Sequence, residues 1–237
     1  MKKPEKEFIS AVIVAAGRGT RMNSDINKQY IDIGGVPILA RTISAFQECK
    51  LIDEIVVVVN QDDIVYCKRN IIDLFKFSKV TQLVAGGDSR QQSVLNGLNS
   101  IHPNSEIVLI HDGARPFIKQ ETIINSITSA ADFGAACVAV PVKDTIKRSR
   151  AIEGQQFIAE TIPRETLWIV QTPQTFRCSL IKEAHLKAAS DEFEGTDDSV
   201  LVERLGIPVK IVMGSYDNIK ITTQEDLIMG EAIAGDE

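Results

Sequence analysis

Short runs rich in valine and isoleucine alternate with stretches of helical period along this chain of 237 residues. This alternation is typical of βαβ units built around a mostly parallel sheet. Several runs are apolar at consecutive positions, as strands require when helices cover both faces of the sheet. We predict strands at Ile9–Val14, Glu54–Val59, Thr81–Ala85, Glu106–Ile110, Ala135–Val140 and Val209–Met213. The pattern therefore predicts an α/β fold with a doubly wound, mostly parallel sheet and helices on both faces.

The stretches between these strands carry apolar residues at helical spacing. We predict helices at Ile38–Gln47, Asp62–Phe75, Arg90–Asn99, Glu121–Phe133, Leu180–Ala189 and Asp197–Leu205, with a last one from Gln224. No internal repeat or long linker separates them, and a chain of this length fits one α/β domain. We therefore predict a single domain over residues 1–237.

One segment, Val142–Trp168, interrupts this rhythm because it contains no convincing helix. Two strand-like stretches, Thr145–Arg148 and Phe157–Ile162, flank Gly154 as in a β-hairpin. An isolated hairpin is marginal in water, so its apolar side chains need a partner. We predict a protruding arm at about 142–168 that reaches over a second copy of the chain in a homodimer. An arm folded back on its own sheet is the alternative.

Composition excludes several classes of protein. Hydrophobic residues make up 44% of the chain and charged residues 24%, the balance of an ordinary globular protein. A net charge of −6 argues against nucleic-acid binding through the overall field. No apolar run approaches the ~20 residues that span a bilayer, and no signal peptide is visible, so we predict a cytoplasmic protein without a membrane partner. The cysteines are far apart, and we interpret them as buried thiols: Cys49, Cys67, Cys137 and Cys178.

A loop of small and basic residues follows the first predicted strand, where open parallel sheets bind ligands. Its small residues are Ala15, Ala16, Gly17 and Gly19, and its basic residues are Arg18 and Arg21. The next lysine along the chain is Lys28. Exposed backbone N–H groups and three cations together favour a polyphosphate. A Walker loop is absent, and Met22 occupies the third position of the dinucleotide fingerprint. A tight turn without a ligand remains the alternative for the glycines alone.

Polar residues also follow the third and fourth predicted strands. Gly87, Asp88 and Ser93 allow backbone contact and hydrogen bonds to a base or sugar, although Asp88 is equally explained as a helix cap. Asp112 is placed to orient a substrate hydroxyl or to lie near magnesium. Near the C-terminus, Lys220 follows Asp217, and the residues alone do not decide between a surface ion pair and a phosphate ligand.

Taken together, eight motifs resemble the 2-C-methyl-D-erythritol 4-phosphate cytidylyltransferases in order and spacing, from about Ser10 onward. They are AAGRGTRM, GGDSRQQSV, HDGARPF, PVKDTIK, TIPR, QTPQTF, GTDDSVLVE and DNIKITT. The resemblance implies a Rossmann-like nucleotidyltransferase fold and dimerisation through the arm. It also implies transfer of CMP from CTP to 2-C-methyl-D-erythritol 4-phosphate in non-mevalonate isoprenoid synthesis, with the use of Mg²⁺. We expect the CTP phosphates to carry this ion, with Asp112 at most adjacent to it.

The resemblance further implies roles for individual residues. The nucleotide-binding positions are Ala15, Ala16, Gly17, Gly19, Gly87, Asp88 and Ser93. The catalytic positions are Arg21 and Lys28, which hold the triphosphate, and Arg164 and Lys220, which hold the acceptor phosphate. The remaining acceptor-binding positions are Asp112, Arg115, Thr145 and Thr196. Since Thr145 and Arg164 lie on the arm, the resemblance implies a site shared between two subunits.

Three other functions are weighed against this one. A ribitol 5-phosphate cytidylyltransferase has the same fold and reaction, but usually opens with a Leu-Ala-Gly-Gly type of loop where this chain has Ala15-Ala16-Gly17. A dinucleotide-dependent oxidoreductase needs an acidic residue after the second strand, where Asn60 and Gln61 stand instead. A non-catalytic nucleotide sensor predicts that the charges at positions 21, 28, 164 and 220 are dispensable.

Overall fold

The computed structural model describes residues 7–17 and 27–235. Its strands are β1 (Phe8–Ala15), β2 (Asp32–Ile33), β3 (Val36–Pro37), β4 (Glu54–Val59), β5 (Val80–Ala85), β6 (Ser105–Asp112), β7 (Ala135–Pro141), β8 (Ile146–Ile152), β9 (Gln155–Ile162), β10 (Trp168–Arg177) and β11 (Lys210–Met213). Seven of them form one sheet in the order β11-β7-β10-β6-β1-β4-β5. All neighbours in this sheet are parallel except β10, which runs antiparallel to β6 and β7. The predicted mostly parallel α/β sheet is confirmed.

Helices cover both faces of the sheet. They are α1 (Ile38–Glu48), α2 (Ile64–Cys67), α3 (Arg90–Leu98), α4 (Gln120–Phe133), α5 (Cys178–Ser190), α6 (Ser199–Glu203) and α7 (Gln224–Gly235). Because successive side chains of a strand point to opposite faces, neighbouring residues of β1 enter different cores. Val12 belongs to the apolar cluster that contains Leu98 of α3. Ile13 belongs to the cluster that contains Phe46 of α1 and Ile123 of α4.

The strand β10 was not predicted, although it lies between β6 and β7 in the centre of the sheet. Its central residues are polar and yet buried, among them Gln171, Gln174 and Thr175. Buried polar side chains need hydrogen-bond partners. The Gln174 amide has such partners. Its Nε2 donates to Asp197 Oδ2, and its Oε1 accepts from the backbone N–H groups of Asp198 and Ser199.

Most predicted helices match the observed ones within a few residues, but the helix predicted at Asp62–Phe75 is wrong as one continuous α-helix. The segment begins with a 3₁₀ turn at Gln61–Asp63, continues through α2, and ends in a π-helical stretch at Lys68–Asp73. Amphipathic spacing reports which side chains face the core, and it does not distinguish these helix types.

The predicted hairpin is present as β8 and β9, which pair antiparallel from Ile146 opposite Ile162 to Ile152 opposite Gln155. The turn has positive φ at Glu153 (48°) and Gly154 (78°), a conformation that glycine adopts without strain. Both strands are exposed almost throughout, including Phe157 at 46% and Ile158 at 66%. The arm therefore leaves apolar surface outside its own sheet, and the second copy that covers it remains a prediction.

All four cysteines are buried free thiols, as predicted. Burial raises the pKa of Cys67 and Cys178 to about 12, and that of Cys137 to about 11. Because the thiolate is the reactive form, these thiols are poor nucleophiles at neutral pH.

None of the helices in residues 7–17 and 27–235 is both long and apolar enough to cross a bilayer.

Candidate active site

A cavity of about 750 Å³ opens at the carboxyl ends of β1, β4, β5 and β6. The carboxyl ends of parallel strands meet at one edge, so loops that are far apart in sequence line the same cavity. Its size fits the usual range for small-molecule sites, roughly 300–1,000 Å³. The structure brings these predicted residues together around it: Ala15, Ala16, Gly17, Lys28, Gly87, Asp88, Ser93, Asp112 and Lys220.

The first wall is the end of β1 and the 3₁₀ turn that contains Lys28. Gln29 is buried and its Nε2 donates to Ala15 O at 3.0 Å, which holds this turn against the strand end. Lys28 Nζ donates to Ile221 O at 3.2 Å, which connects this turn to the C-terminal segment that contains Lys220. The predicted residues Gly19 and Arg21 lie outside the described residues, as does Arg18.

The second wall is the turn from β5 into α3. Ser93 Oγ accepts from Gly87 N at 3.0 Å and donates to Ser89 O at 2.9 Å, so it closes the turn. Ser89 caps α3, because its hydroxyl accepts from Gln92 N. The interpretation of Asp88 as the helix cap is therefore wrong, and Asp88 instead lines the cavity with an exposed side chain.

This turn also requires a glycine that the sequence did not single out. A Cβ on Gly86 would collide with the Ala16 side chain and lie 2.9 Å from Ser93 Oγ. The β1 loop and the α3 turn thus approach each other as closely as backbone allows. Residue 86 must therefore be a glycine for the β1 loop and the α3 turn to line one cavity together.

The third wall is a cluster of charges around Asp112 at the end of β6. Lys220 Nζ lies 2.8 Å from Asp112 Oδ2, Arg115 Nε lies 3.6 Å from the same oxygen, and Arg90 Nε lies 3.5 Å from Oδ1. Burial opposes ionisation of this carboxyl, but Lys220, Arg90 and Arg115 together lower the pKa of Asp112 well below its usual range. Asp112 is therefore an anion that three cations surround.

The backbone of Asp112 is fixed from the neighbouring strand β10. Asp112 N donates to Thr172 Oγ1 at 3.0 Å, and His111 Nδ1 lies 3.0 Å from the same hydroxyl. His111 Nε2 lies 3.1 Å from Arg115 O, a group that only accepts, so this nitrogen carries the proton and Nδ1 accepts from Thr172. Burial lowers the pKa of His111 to about 4, which keeps the ring neutral. His111 is thus structural: its ring ties the end of β6 to Thr172 of β10.

Several predicted residues lie elsewhere. Arg115 lies behind Asp112, where its Nη1 donates to Asn218 O at 2.8 Å, and it does not line the cavity. Thr145 and Thr196 are exposed and outside the cavity lining. Arg164 is exposed at the base of the arm, where its Nη1 donates to Lys143 O. The structure of one chain therefore leaves the roles of the arm residues as predictions.

The two interpretations of Lys220 can be compared directly. Asp217 pairs with Lys119 at 3.1 Å, whereas Lys220 turns to Asp112 in the cavity. Ile221 N donates to Ala114 O at 2.8 Å, which ties this C-terminal segment to the loop after β6. The interpretation of Lys220 as the surface ion-pair partner of Asp217 is therefore wrong.

Besides Gly86, the sequence-based interpretation missed several polar residues of the cavity. Asn60 and Gln61 follow β4, and the rule that ligands bind after strand ends could have found them. Arg90 stands within the GGDSRQQSV motif, but its partners give it meaning only in three dimensions. Its Nη2 donates to Asp198 Oδ2 at 2.8 Å, and Asp198 lies 108 positions away.

Carboxylates are scarce at this site. Within the described ranges, Asp88 and Asp112 are the acidic residues that line the cavity, and no group of three or more His, Cys, Asp or Glu side chains could hold a metal ion. Mg²⁺ commonly binds through substrate phosphates, water and one or two carboxylates. The donors present therefore fit an ion that the phosphates of a substrate bring with them.

Comparisons with known proteins agree on one family. Residues 9–236 match the family model described as 2-C-methyl-D-erythritol 4-phosphate cytidylyltransferase. Relatives of that name from Caldanaerobacter subterraneus (50% identity, 94% of this chain, 97% of theirs) and Clostridium novyi (51%, 94% and 95%) are similar over nearly their whole length.

Solved structures give the same result. A 4-diphosphocytidyl-2C-methyl-D-erythritol synthase from Anaerococcus prevotii has a TM-score of 0.84 at 37% identity, covering 98% of this chain and 97% of that one. A 2-C-methyl-D-erythritol 4-phosphate cytidylyltransferase from Thermus thermophilus has a TM-score of 0.78 at 31% identity, covering 97% and 99%.

Proposed function

The chain belongs to the family of 2-C-methyl-D-erythritol 4-phosphate cytidylyltransferases, and we propose that the cavity at the carboxyl edge of its sheet is where CTP and the acceptor phosphate meet. As a member of this family, the protein transfers CMP from CTP to 2-C-methyl-D-erythritol 4-phosphate. The products are 4-diphosphocytidyl-2-C-methyl-D-erythritol and pyrophosphate, on the path to isoprenoid precursors. The ribitol 5-phosphate alternative is not favoured, since the matching family and relatives carry the methylerythritol name.

One observation carries the assignment of the site: Lys28 and Lys220 line the same cavity as the Gly87–Ser93 turn. The reaction joins two anions, so it needs cations between a nucleoside subsite and an acceptor subsite. Gly86 and Gly87 line the cavity without side chains, which suits backbone contacts to a flat base and a ribose. Asp112 and Lys220 suit the hydroxyls and the phosphate of the acceptor.

In the proposed reaction, an oxygen of the acceptor phosphate forms a bond to the α-phosphorus of CTP. The bond from that phosphorus to the bridging oxygen of the β-phosphate breaks, and pyrophosphate leaves with the electron pair. No general base is required, because a phosphate dianion is already a nucleophile. Lys28, with Arg21 as its predicted companion, stabilises charge on the triphosphate, and each such donor contributes about 10²- to 10³-fold to the rate.

Mg²⁺ is part of the proposal as an ion that arrives with CTP. Asp112 and Asp88 would lie beside it, and bound there it would neutralise charge on the phosphates. Asp112 already faces three cations, which supports an adjacent position rather than direct ligation.

The proposal extends to assembly. We take residues 1–237 as one nucleotidyltransferase domain, and we propose that its arm at about 142–168 covers a second copy. Thr145 and Arg164 of one copy would then complete the site that contains Thr196 of the other. Exposed Phe157 and Ile158 support an arm that docks on another surface. Since CTP is made inside the cell, we also propose a cytoplasmic location. No nucleic acid or membrane takes part.

The direct test is pyrophosphate release from CTP and Mg²⁺ with either methylerythritol 4-phosphate or ribitol 5-phosphate as acceptor. We expect release with the first acceptor alone. Lys28→Met is expected to lower the rate by about 10²-fold or more, whereas Lys50→Met, at an exposed lysine on a turn, leaves it unchanged. Pyrophosphate release with ribitol 5-phosphate alone would identify a ribitol 5-phosphate cytidylyltransferase. No release with either acceptor would support a non-catalytic nucleotide sensor.

A further inference from the structure

A carboxylate that does not line the cavity is nevertheless connected to it. Asp198 lies at the start of α6 and is 1% exposed. Its Oδ2 accepts from Arg90 Nη2 at 2.8 Å, and its Oδ1 lies 3.8 Å from His185 Nε2. Its backbone N–H donates to Gln174 Oε1 at 2.9 Å. Burying a carboxylate costs free energy unless it is paired, so the hydrogen bond from Arg90 is what allows Asp198 to be buried.

Arg90 connects Asp198 to the cavity. One edge of its guanidinium meets Asp198, and its Nε lies 3.5 Å from Asp112 Oδ1. Burial disfavours the cation, but the carboxylates of Asp198 and Asp112 outweigh this and raise the pKa of Arg90 above its usual value. The planar guanidinium is rigid and always charged, which suits a bridge between two carboxylates better than a lysine would.

His185 closes the far end of this chain of contacts. It is 1% exposed, and neither ring nitrogen has a hydrogen-bond partner among the described residues. Burial and the nearby Arg90 lower the pKa of His185 to about 4, so the ring is neutral. Burial raises the pKa of Asp198, and the hydrogen bond from Arg90 opposes that rise, so Arg90 is the contact that favours the carboxylate form. Within residues 7–17 and 27–235, Arg90 is therefore the cation that pairs with Asp198.

We propose that Asp198 is a positioning residue for the reaction: it fixes the Arg90 guanidinium, and Arg90 fixes the Asp112 carboxylate toward the acceptor subsite. The family resemblance gives Asp198, which stands in the GTDDSVLVE motif, no role in the reaction. The inference rests on the proposed function, because it takes Asp112 as part of the acceptor site. A misplacement of about 1 Å can cost about 10²-fold in rate, so a residue that never touches substrate can still control turnover.

The kinetic test is a double-mutant cycle with Asp198→Asn, Arg90→Met and the double variant. We expect Asp198→Asn to lower kcat/KM for methylerythritol phosphate by at least about 10-fold, while the Kd for CTP from calorimetry stays within about 3-fold. The double variant is expected to be no slower than Arg90→Met alone, because Asp198 acts through Arg90. Wild-type kinetics for Asp198→Asn, or losses that add in the double variant, would overturn the proposal.

The matched control is Asp191→Asn. Asp191 is an exposed carboxylate whose oxygens pair with Lys187 and Arg204, each at 2.8 Å. It tests removal of an acid–arginine pair outside the site, and we expect wild-type kinetics. Should Asp198→Asn not fold, Arg90→Lys keeps the charge but not the planar fork, and it is expected to show the same loss for the acceptor. An Arg90→Lys enzyme with wild-type kinetics would contradict the bridge.

A second readout does not depend on turnover. The Nε–H signal of Arg90 in a ¹H–¹⁵N NMR spectrum, assigned by its loss in Arg90→Lys, reports whether the guanidinium is held. We expect Asp198→Asn to shift and broaden this signal and Asp191→Asn to leave it unchanged. An unchanged signal in Asp198→Asn refutes the positioning role, whereas a wild-type enzyme that releases no pyrophosphate refutes the proposed function.

Discussion

Lys220 Nζ lies 2.8 Å from Asp112 Oδ2, which joins a segment near the C-terminus to the end of β6. The side chain of Lys220 is 39% exposed and that of Asp112 only 10%. Because the Lys220 side chain is partly exposed, its ammonium group can reach a substrate phosphate in the cavity while Asp112 stays beside it. This pair therefore places a cation at the acceptor side of the cavity.

Replacing Lys220 tests this arrangement. We expect Lys220→Met to raise KM for methylerythritol phosphate by about 10-fold or more, because one charged hydrogen bond to a phosphate contributes roughly 1.5–3 kcal/mol. The KM for CTP should change little. Steady-state kinetics with each substrate varied in turn measure both values.

Lys119→Met is the matched control for Lys220→Met. Lys119 pairs with Asp217 at 3.1 Å on the surface nearby, where its side chain is 62% exposed. We expect both KM values to stay at wild type. Equal effects of the two substitutions would show that Lys220 acts only through general surface charge.

Gly86 tests the nucleoside side. A methyl group at Gly86 would collide with Ala16 and crowd Ser93 Oγ, so Gly86→Ala should push the β1 loop and the α3 turn apart. We expect CTP affinity, measured by calorimetry, to fall by about 10-fold or more, because the displaced turn loses contacts with the nucleoside and about 1.4 kcal/mol of lost binding free energy is tenfold in Kd. Gly235→Ala adds a methyl group in open space and should bind CTP like the wild type. Unchanged affinity in Gly86→Ala would place the nucleoside elsewhere.

The buried histidines predict a pH dependence of stability. Burial lowers the pKa of both His111 and His185 to about 4, whereas an unfolded histidine titrates near 6.5. Between these values the unfolded state binds more protons, so the folding free energy weakens as pH falls through this window. Each histidine contributes of the order of 3 kcal/mol to the loss. Thermal melting across this range should show Tm falling, and His185→Gln should flatten the curve. A Tm independent of pH would mean that these rings can be protonated in place.

The arm predicts complementation between subunits. Lys28→Ala and Arg164→Ala should each be nearly inactive alone, because each removes a cation from the site. If the arm completes the partner's site, mixed dimers contain one intact site, and mixing the two variants by refolding recovers about a quarter of wild-type activity. Analytical ultracentrifugation checks that dimers form. No recovery from folded mixed dimers would indicate an arm that serves its own subunit.

Much of this fold is predictable from sequence, because strands such as β4, with Val56 and Val57 buried on opposite faces, are apolar throughout. The strand β10 is the exception. Its buried Gln174 and Thr175 are stabilised by hydrogen bonds to Asp197 and Ser126, partners that no local pattern reveals. Apolar periodicity detects burial only where burial is apolar.

The candidate site likewise contains residues that the sequence predicts and residues that it does not. Lys28, Asp112 and Ser93 follow strands or stand in motifs, and the cavity contains them. Arg90 and Asp198 could not be paired from sequence, since their contact joins α3 to the start of α6 across 108 positions. Long-range ion pairs depend on the finished fold and not on local spacing.

The most direct measurement of the central claim is the identity of the phosphorus product. ³¹P NMR of the protein with CTP, Mg²⁺ and methylerythritol 4-phosphate should show the acceptor monoester signal replaced by two coupled diphosphate signals, with pyrophosphate formed in equal amount. That result shows bond formation between the acceptor phosphate and the α-phosphorus. Retention of the monoester signal, or release of free CMP without a new diphosphate, would contradict the account.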